Sequence, residues 1–328
     1  MIFEKQIIGA YRAMAYTRCD DTGVAYYFSA ADFEGLLSEE YTFAASAGHK
    51  VVGAIYSYEG ADTGRIIVFD HGFGGGHRSY MREIEMLCRR GYRVFAYDHT
   101  GCMRSGGETT NGMAQSLSDL NDAINAIKSD GRFAGVDISV MGHSWGGYSC
   151  LNIAALHPDV SHIVAISGFV SVELLVNSFF GGLIRGYRKR ILAIEQGTNP
   201  DFVGYNATET LSKTSAEVLL IYSKDDKLCR KNPHYDVLAA ALSEKPNVKL
   251  LLVDNKGHNP NYTEDAVKYL AEYSALRGRL LKKGKLSAPE AREAFVASFD
   301  WRRMTEQDEA VWSEIFAALE RRGGAEKI

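Results

Sequence analysis

The spacing of apolar and polar positions changes several times along the chain, and each change marks an element. From Tyr41 to Gly60, "YTFAASAGHKVVGAIYSYEG" alternates apolar and polar residues around Gly48, which predicts an antiparallel hairpin. Arg65 to Asp70, "RIIVFD", is instead a continuous apolar run, the pattern of a strand buried on both faces. It leads through "HGFGGG" (71–76) into an amphipathic stretch, "RSYMREIEMLCRRG". "YRVFAYD" (92–98) predicts the next strand, followed by a helix from about Ser116 to Lys128. "VDISVMGHSWGGY" (136–148) begins as a buried strand and turns sharply into helical spacing at Tyr148, Leu151 and Ile153. "SHIVAISG" (161–168), "AEVLLIYS" (216–223) and "VKLLLVD" (248–254) predict three more strands. Strand, helix, strand at this cadence means an α/β fold with a mostly parallel central sheet and helices on both faces. In such a sheet, functional loops lie at the carboxyl ends of the strands.

The cadence breaks in three places. Residues 1–40 mix aromatics and acids without a sustained period and read as a partly helical N-terminal arm. Residues 169–215 are too long for one connection and carry helical spacing on either side of Gly181-Gly182, which reads as an inserted cap. After about Asp265 the chain is helical. Ser287 before Glu290 has capping-box spacing, and Thr305 before Asp308 is an acidic variant of the same start signal. Val311, Trp312, Ile315, Phe316 and Leu319 form one apolar helical face. The implied organisation is an arm (1–40), a core (41–168 and 216–275), a cap (169–215) and a C-terminal helical extension packed on the core (276–328).

Composition narrows the function. The chain has 328 residues, 46% of them hydrophobic, enough for a large core. A net charge of −4 provides no electrostatic case for nucleic acid or an anionic membrane. Five scattered cysteines form no C-x-x-C pair, so neither zinc nor a disulfide framework is implied. The N-terminal stretch lacks the apolar core of a signal peptide, and no run approaches a membrane span, so the expectation is a cytoplasmic protein.

The chemistry centres on Gly142-His143-Ser144-Trp145-Gly146, a G-x-S-x-G between a strand and a helix. In that context the motif is a nucleophile elbow, with small residues two before and two after the serine so that strand and helix can approach. A serine hydroxyl needs a base to take its proton and a third group to orient the base. Asp225 and Asp226 follow one buried strand and His258 follows the last, placing Ser144, an acid and a histidine in chain order. Asp226 is preferred over Asp225 because it lies three residues past the strand-terminal Ser223. The oxyanion donors would be the backbone N–H groups of Trp145 and Phe73, with Gly74 as the alternative to Phe73.

These motifs together resemble the α/β-hydrolase superfamily, of the serine esterase, lipase and aminopeptidase type. The likeness rests on "HGFGGG" (71–76), "YDHTGCMRSGG" (97–107), "GHSWGG" (142–147), "SKDDKLC" (223–229) and "KGHNPN" (256–261). The "DKLC" at 226–229 is similar to the acid turn of monoacylglycerol-lipase-like members, which supports Asp226. In the loop at 97–107, a cysteine and a methionine replace the small or basic residues more usual in the family. The resemblance implies a serine hydrolase that cleaves carboxylic esters through an acyl-enzyme, with a small acyl substrate and water as its partners and no cofactor or metal. An amidase, an aminopeptidase or an acyltransferase would use the same triad, and a non-catalytic binding protein could keep the scaffold. Several neighbouring residues read as structural: His71, His143, Asp98, Ser105, Cys102, Cys150 and the basic cluster Arg185, Arg188, Lys189 and Arg190. "DHGFGGG" has the wrong glycine spacing for a dinucleotide loop, so NAD is not implied.

Overall fold

The apolar runs become the strands of one eight-stranded sheet in the computed structural model, which describes residues 3–62 and 64–321. The last residues of the expected C-terminal extension, 322–328, lie outside the described residues. β1 (Leu37–Ala44) and β2 (Lys50–Ser57) form the hairpin, turning at Gly48, whose φ of +85° suits glycine. β3 (Arg65–Asp70), β4 (Arg93–Tyr97), β5 (Asp137–His143), β6 (His162–Ile166), β7 (Glu217–Ser223) and β8 (Val248–Val253) follow. The order is β1-β2-β4-β3-β5-β6-β7-β8; β2 meets β4 antiparallel, and every pairing from β4 to β8 is parallel.

Alternate residues of each central strand enter opposite cores. Ile66 and Val68 face one layer while Ile67 and Phe69 face the other, all fully buried. Each such side chain removed from water contributes roughly 1.5–3 kcal/mol. The first layer holds α1 (Glu4–Ala15), α3 (Gln115–Ser129) and α4 (Trp145–Asn152); the second holds α2 (Met81–Arg89) and the last helix, α12 (Glu309–Leu319). Val311, Trp312, Ile315 and Leu319 are buried in that second layer, and Phe316 packs partly buried beside them.

Between β6 and β7 the chain makes its long excursion. α5 (Val172–Phe179), a 3₁₀ segment (Gly182–Tyr187) and α6 (Arg188–Thr198) come first, and α7 (Ala207–Lys213) then packs on α4 and on α8 (Asp236–Leu242). Beyond β8 come α9 (Glu264–Lys282), α10 (Pro289–Ala297) and α11 (Trp301–Met304). These three helices build a satellite core with Val24.

Three boundaries differ from the sequence expectation. β1 starts at Leu37, inside the expected arm, because it is an edge strand whose side chains are mostly exposed, so it carries little apolar signal. Ser287 does not cap α10: Pro289 takes the first helical position, Ala288 becomes the N-cap, and the Ser287 hydroxyl donates to the Gly284 carbonyl at 2.8 Å. Thr305 likewise does not cap α12, because its hydroxyl donates back to Trp301 at 2.8 Å. Asp308 is the cap instead, accepting from the N–H groups of Ala310 (2.9 Å) and Val311 (3.2 Å), where its charge also suits the helix dipole.

Candidate active site

Ser144 sits between β5 and α4 with φ +58° and ψ −109°, a backbone conformation that L-residues rarely adopt. The flanking glycines make it possible. A Cβ on Gly142 would lie 2.5 Å from the Gly146 carbonyl oxygen, and one on Gly146 would lie 2.0 Å from that of Asp70. The Ser144 N–H is tied to the Ile166 carbonyl at 2.8 Å, which anchors the turn to β6.

The loops after β7 and β8 bring the acid and the base to this turn. Ser144 Oγ lies 2.8 Å from His258 Nε2, and His258 Nδ1 lies 2.7 Å from Asp226 Oδ2. The Asp226 side chain is fully buried, and its Oδ1 accepts from the N–H groups of Leu228 (2.8 Å) and Cys229 (3.1 Å). Burial pushes the Asp226 carboxyl up, but the hydrogen bond and charge of His258 and the two amides outweigh it and hold it below the usual carboxylate range. Asp225 turns elsewhere: its Oδ1 accepts from Ser223 Oγ at 2.5 Å and from the Gly257 N–H at 3.1 Å.

Phe73 and Trp145 flank the serine, with ring centroids 5.0 Å apart. A cavity of about 560 Å³ opens over Ser144 and His258, walled by α1, α5 and the segment that follows α5. No aspartate, glutamate, lysine or arginine among the described residues lines it.

This fold has known counterparts. The structure of the esterase Pf2001 from Pyrococcus furiosus matches with a TM-score of 0.58 at 20% identity, over 80% of this chain and 98% of that one. A family model described as "Serine aminopeptidase, S33" matches residues 61–203. The chain has the α/β-hydrolase fold, and its segment 61–203 is similar to that serine aminopeptidase family. Among curated relatives, the "Putative carbamate hydrolase RutD" of Agrobacterium fabrum is 24% identical over 239 residues, 60% of this chain and 87% of that protein. The "Monoglyceride lipase" of Saccharomyces cerevisiae is 29% identical over 120 residues, only 34% of this chain and 36% of that protein.

The other histidines near Ser144 order the surrounding loops. His143 Nε2 donates to the His258 carbonyl at 2.7 Å, and its Nδ1 accepts from the Tyr80 hydroxyl at 2.8 Å. Tyr80 Oη in turn accepts from the Gly72 N–H at 3.1 Å. One buried imidazole thus links the loop after β3, the serine turn and the His258 loop. His71 Nδ1 meets the Gly72 carbonyl at 2.8 Å, and its Nε2 accepts from the His99 N–H at 2.9 Å. Asp98 accepts from His77, and Ser105 Oγ donates to the Asp98 carbonyl at 2.6 Å, so both tie the loop after β4. Cys102 and Cys150 are buried. Arg188 spans Phe180 and Asn177 within the excursion, and none of the four basic residues at 185–190 lines the cavity.

His99 also belongs to this region, without a local signature in the sequence. It is buried between two carboxylates, with Nε2 3.0 Å from Asp70 and Nδ1 3.1 Å from Asp119, and its ring centroid lies 4.6 Å from that of Trp145. Nothing local in "DHTG" marks it, because Asp70 and Asp119 come from other elements.

The buried imidazoles have opposite pH signatures. Burial first, then neighbouring positive charge, pushes His71 and His143 down to about 3. Between pH 3 and 6.5 the unfolded chain therefore binds protons that the folded one refuses. Each of these histidines makes stability rise with pH through that window, by up to about 1.4 kcal/mol per pH unit. Burial alone would also depress His99, but Asp70 and Asp119 overcome it and raise it to about 10. Its contribution is full below pH 6.5 and is lost as pH rises toward 10. Thermal melts are therefore expected to peak near neutrality, and His143→Gln should give a shallower acid limb. An acid limb of unchanged slope would remove His143 as one of its causes.

Proposed function

We propose that the chain is a serine hydrolase that cleaves carboxylic esters of modest size with an uncharged acyl group. The observation that carries this reading is the Ser144–His258–Asp226 relay opening directly into an apolar cavity. Asp226 holds the Nδ1–H tautomer of His258 and leaves Nε2 free to accept the Ser144 proton. Ser144 Oγ attacks the ester carbonyl, and the N–H groups of Phe73 and Trp145 stabilise the tetrahedral oxyanion. Loss of one such donor typically costs ~10²–10³ in rate. His258 then returns its proton to the departing alkoxide, leaving the acyl group on Ser144. A water molecule, deprotonated by His258, releases the acid in the same way.

In this reading the β6–β7 excursion acts as the cap over the site, and the five free thiols fit a reducing, cytoplasmic setting. The cavity lining argues against aminopeptidase activity. A cationic α-amine would enter a site with no carboxylate on its wall, and an unpaired buried charge is costly.

A panel of p-nitrophenyl esters and aminoacyl p-nitroanilides tests this. Turnover of uncharged esters is expected, with aminoacyl anilides slower by at least ~10²-fold. Preferential cleavage of the anilides would replace the ester reading by the aminopeptidase one.

A further inference from the structure

Helix α1 carries Ile7, Ala10, Tyr11 and Met14 at i, i+3, i+4 and i+7, a stripe that ordinarily disappears into a core. Here all four line the cavity above Ser144, and Met14 remains 51% exposed. Phe179 and Ile184, 42% and 37% exposed, line the same cavity, and their segment touches α1, with the Tyr11 and Phe180 ring centroids 6.0 Å apart. Apolar surface contributed by both elements is thus left uncovered in one space that also holds the serine. Scattered exposed hydrophobics are ordinary, but a contiguous apolar lining continuous with a reactive group implies a ligand there.

The position of α1 depends on one carboxylate. Glu195 on α6 is fully buried and accepts from Tyr11 Oη at 2.6 Å, Tyr16 Oη at 2.9 Å and the Met113 N–H at 2.8 Å. Burial, and then the Glu195 charge, push both phenols up, so both remain donors. The Met113 carbonyl accepts from Trp145 Nε1 at 2.7 Å. Beside it Gly112 has φ +85°, and a Cβ there would lie 2.6 Å from Glu195 Oε1. The N-terminal helix, the segment over the site and the loop that seats Trp145 therefore meet on a single side chain. A buried carboxylate is retained at such a cost only when its partners are satisfied, as they are here.

We infer that α1 is the distal wall of an acyl-chain pocket and that Glu195 is the positioning residue that fixes this wall, so that the N-terminal helix sets the chain length the site accepts. The ligand is an uncharged aliphatic acyl chain running from Ser144 toward Ala10 and Met14. This inference rests on the ester-hydrolase reading above. A tryptophan at position 10 shortens the pocket without touching Ser144, His258 or Asp226. Loss of the Glu195 carboxylate frees the wall and leaves two phenols without an acceptor.

The test measures kcat/KM for p-nitrophenyl octanoate and acetate in the wild type, Ala10→Trp, Glu195→Ala and Glu195→Gln. Labelling rates with fluorophosphonates bearing a long or a short alkyl chain are measured in parallel. The octanoate-to-acetate ratio is expected to fall about tenfold or more in Ala10→Trp and Glu195→Ala, chiefly through the octanoate KM. Glu195→Gln, which keeps one acceptor, should recover part of the loss. Long-over-short labelling selectivity should fall in the same order. A ratio unchanged within about twofold in Ala10→Trp would overturn the inference, and that variant folds on its own merits because position 10 is exposed. The two readings separate cleanly. Ester turnover with unaltered chain-length selectivity sinks the α1 wall alone. Chain-selective labelling that Ala10→Trp abolishes, without turnover of either ester, sinks the ester reading and leaves the wall standing.

Discussion

Replacing Ser144 by alanine is expected to lower kcat for a p-nitrophenyl ester by about 10⁶ and to abolish fluorophosphonate labelling. The size follows from the chemistry: without Oγ there is no acyl-enzyme, and His258 and Asp226 have nothing to activate. On the proposed mechanism, the N–H groups of Phe73 and Trp145 and the cavity would remain, and together would leave a residual ~10³–10⁴ over water. The variant also separates reactivity from strain. Alanine inherits the positive φ of 58° at this turn, so it removes the nucleophile and keeps the backbone cost. Ser144→Gly removes both, and should be equally inactive but about 1 kcal/mol more stable than Ser144→Ala by thermal denaturation. Retention of labelling in Ser144→Ala would mean that another residue is the nucleophile. Of the buried hydroxyls and thiols near the turn, Ser149 and Cys150 would then be the next to replace.

How much of this arrangement was legible in the sequence depended on range. β3, β5, β6 and β7 are buried on both faces or nearly so, and continuous apolar runs announce such strands within two residues of where they lie; β8 carries the same kind of run although only Val248 of its six residues is buried. β1 was harder to place, because only Tyr41 of its eight residues is buried. The site residues lie at strand ends after glycine-rich or acidic turns, and the fold's topology brings those ends together, so chain order alone could nominate Ser144, Asp226 and His258. Residues whose roles come from distant partners were not legible. His99 owes its charge to Asp70 and Asp119, and Glu195 gains its meaning from Tyr11 and Tyr16, far away in the chain. The stripe at 7, 10, 11 and 14 was visible as helical spacing, but spacing cannot distinguish a face that meets the core from one that meets a ligand. The helix starts at Ala288 and Asp308 show the same limit on a small scale, where a proline and a competing carboxylate overrode the serine and threonine signals.

Asp226→Asn is expected to reduce kcat by about 10⁴ with little change in KM, and Asp225→Asn by less than about tenfold. The asymmetry comes from the hydrogen-bond donors. Asp226 Oδ1 is already held by the amides of Leu228 and Cys229, so an asparagine there keeps its carbonyl on those amides and turns its NH₂ toward His258. A donor facing Nδ1 selects the tautomer with its proton on Nε2, and that nitrogen can no longer accept from Ser144. The base is then present, correctly placed and in the wrong protonation pattern. At position 225 the same exchange is mild, because an asparagine carbonyl can go on accepting from the Ser223 hydroxyl and the Gly257 amide. Asp225 therefore shapes the turn that carries His258, while Asp226 addresses the ring itself. The wild-type Asp226 carboxyl is held below the usual carboxylate range, so it stays ionised wherever the enzyme is assayed above about pH 5. The Asp226→Asn deficit should accordingly be of similar size at pH 6 and pH 7. Equal losses in the two asparagine variants would transfer the role of the acid from Asp226 alone to the Asp225–Asp226 pair.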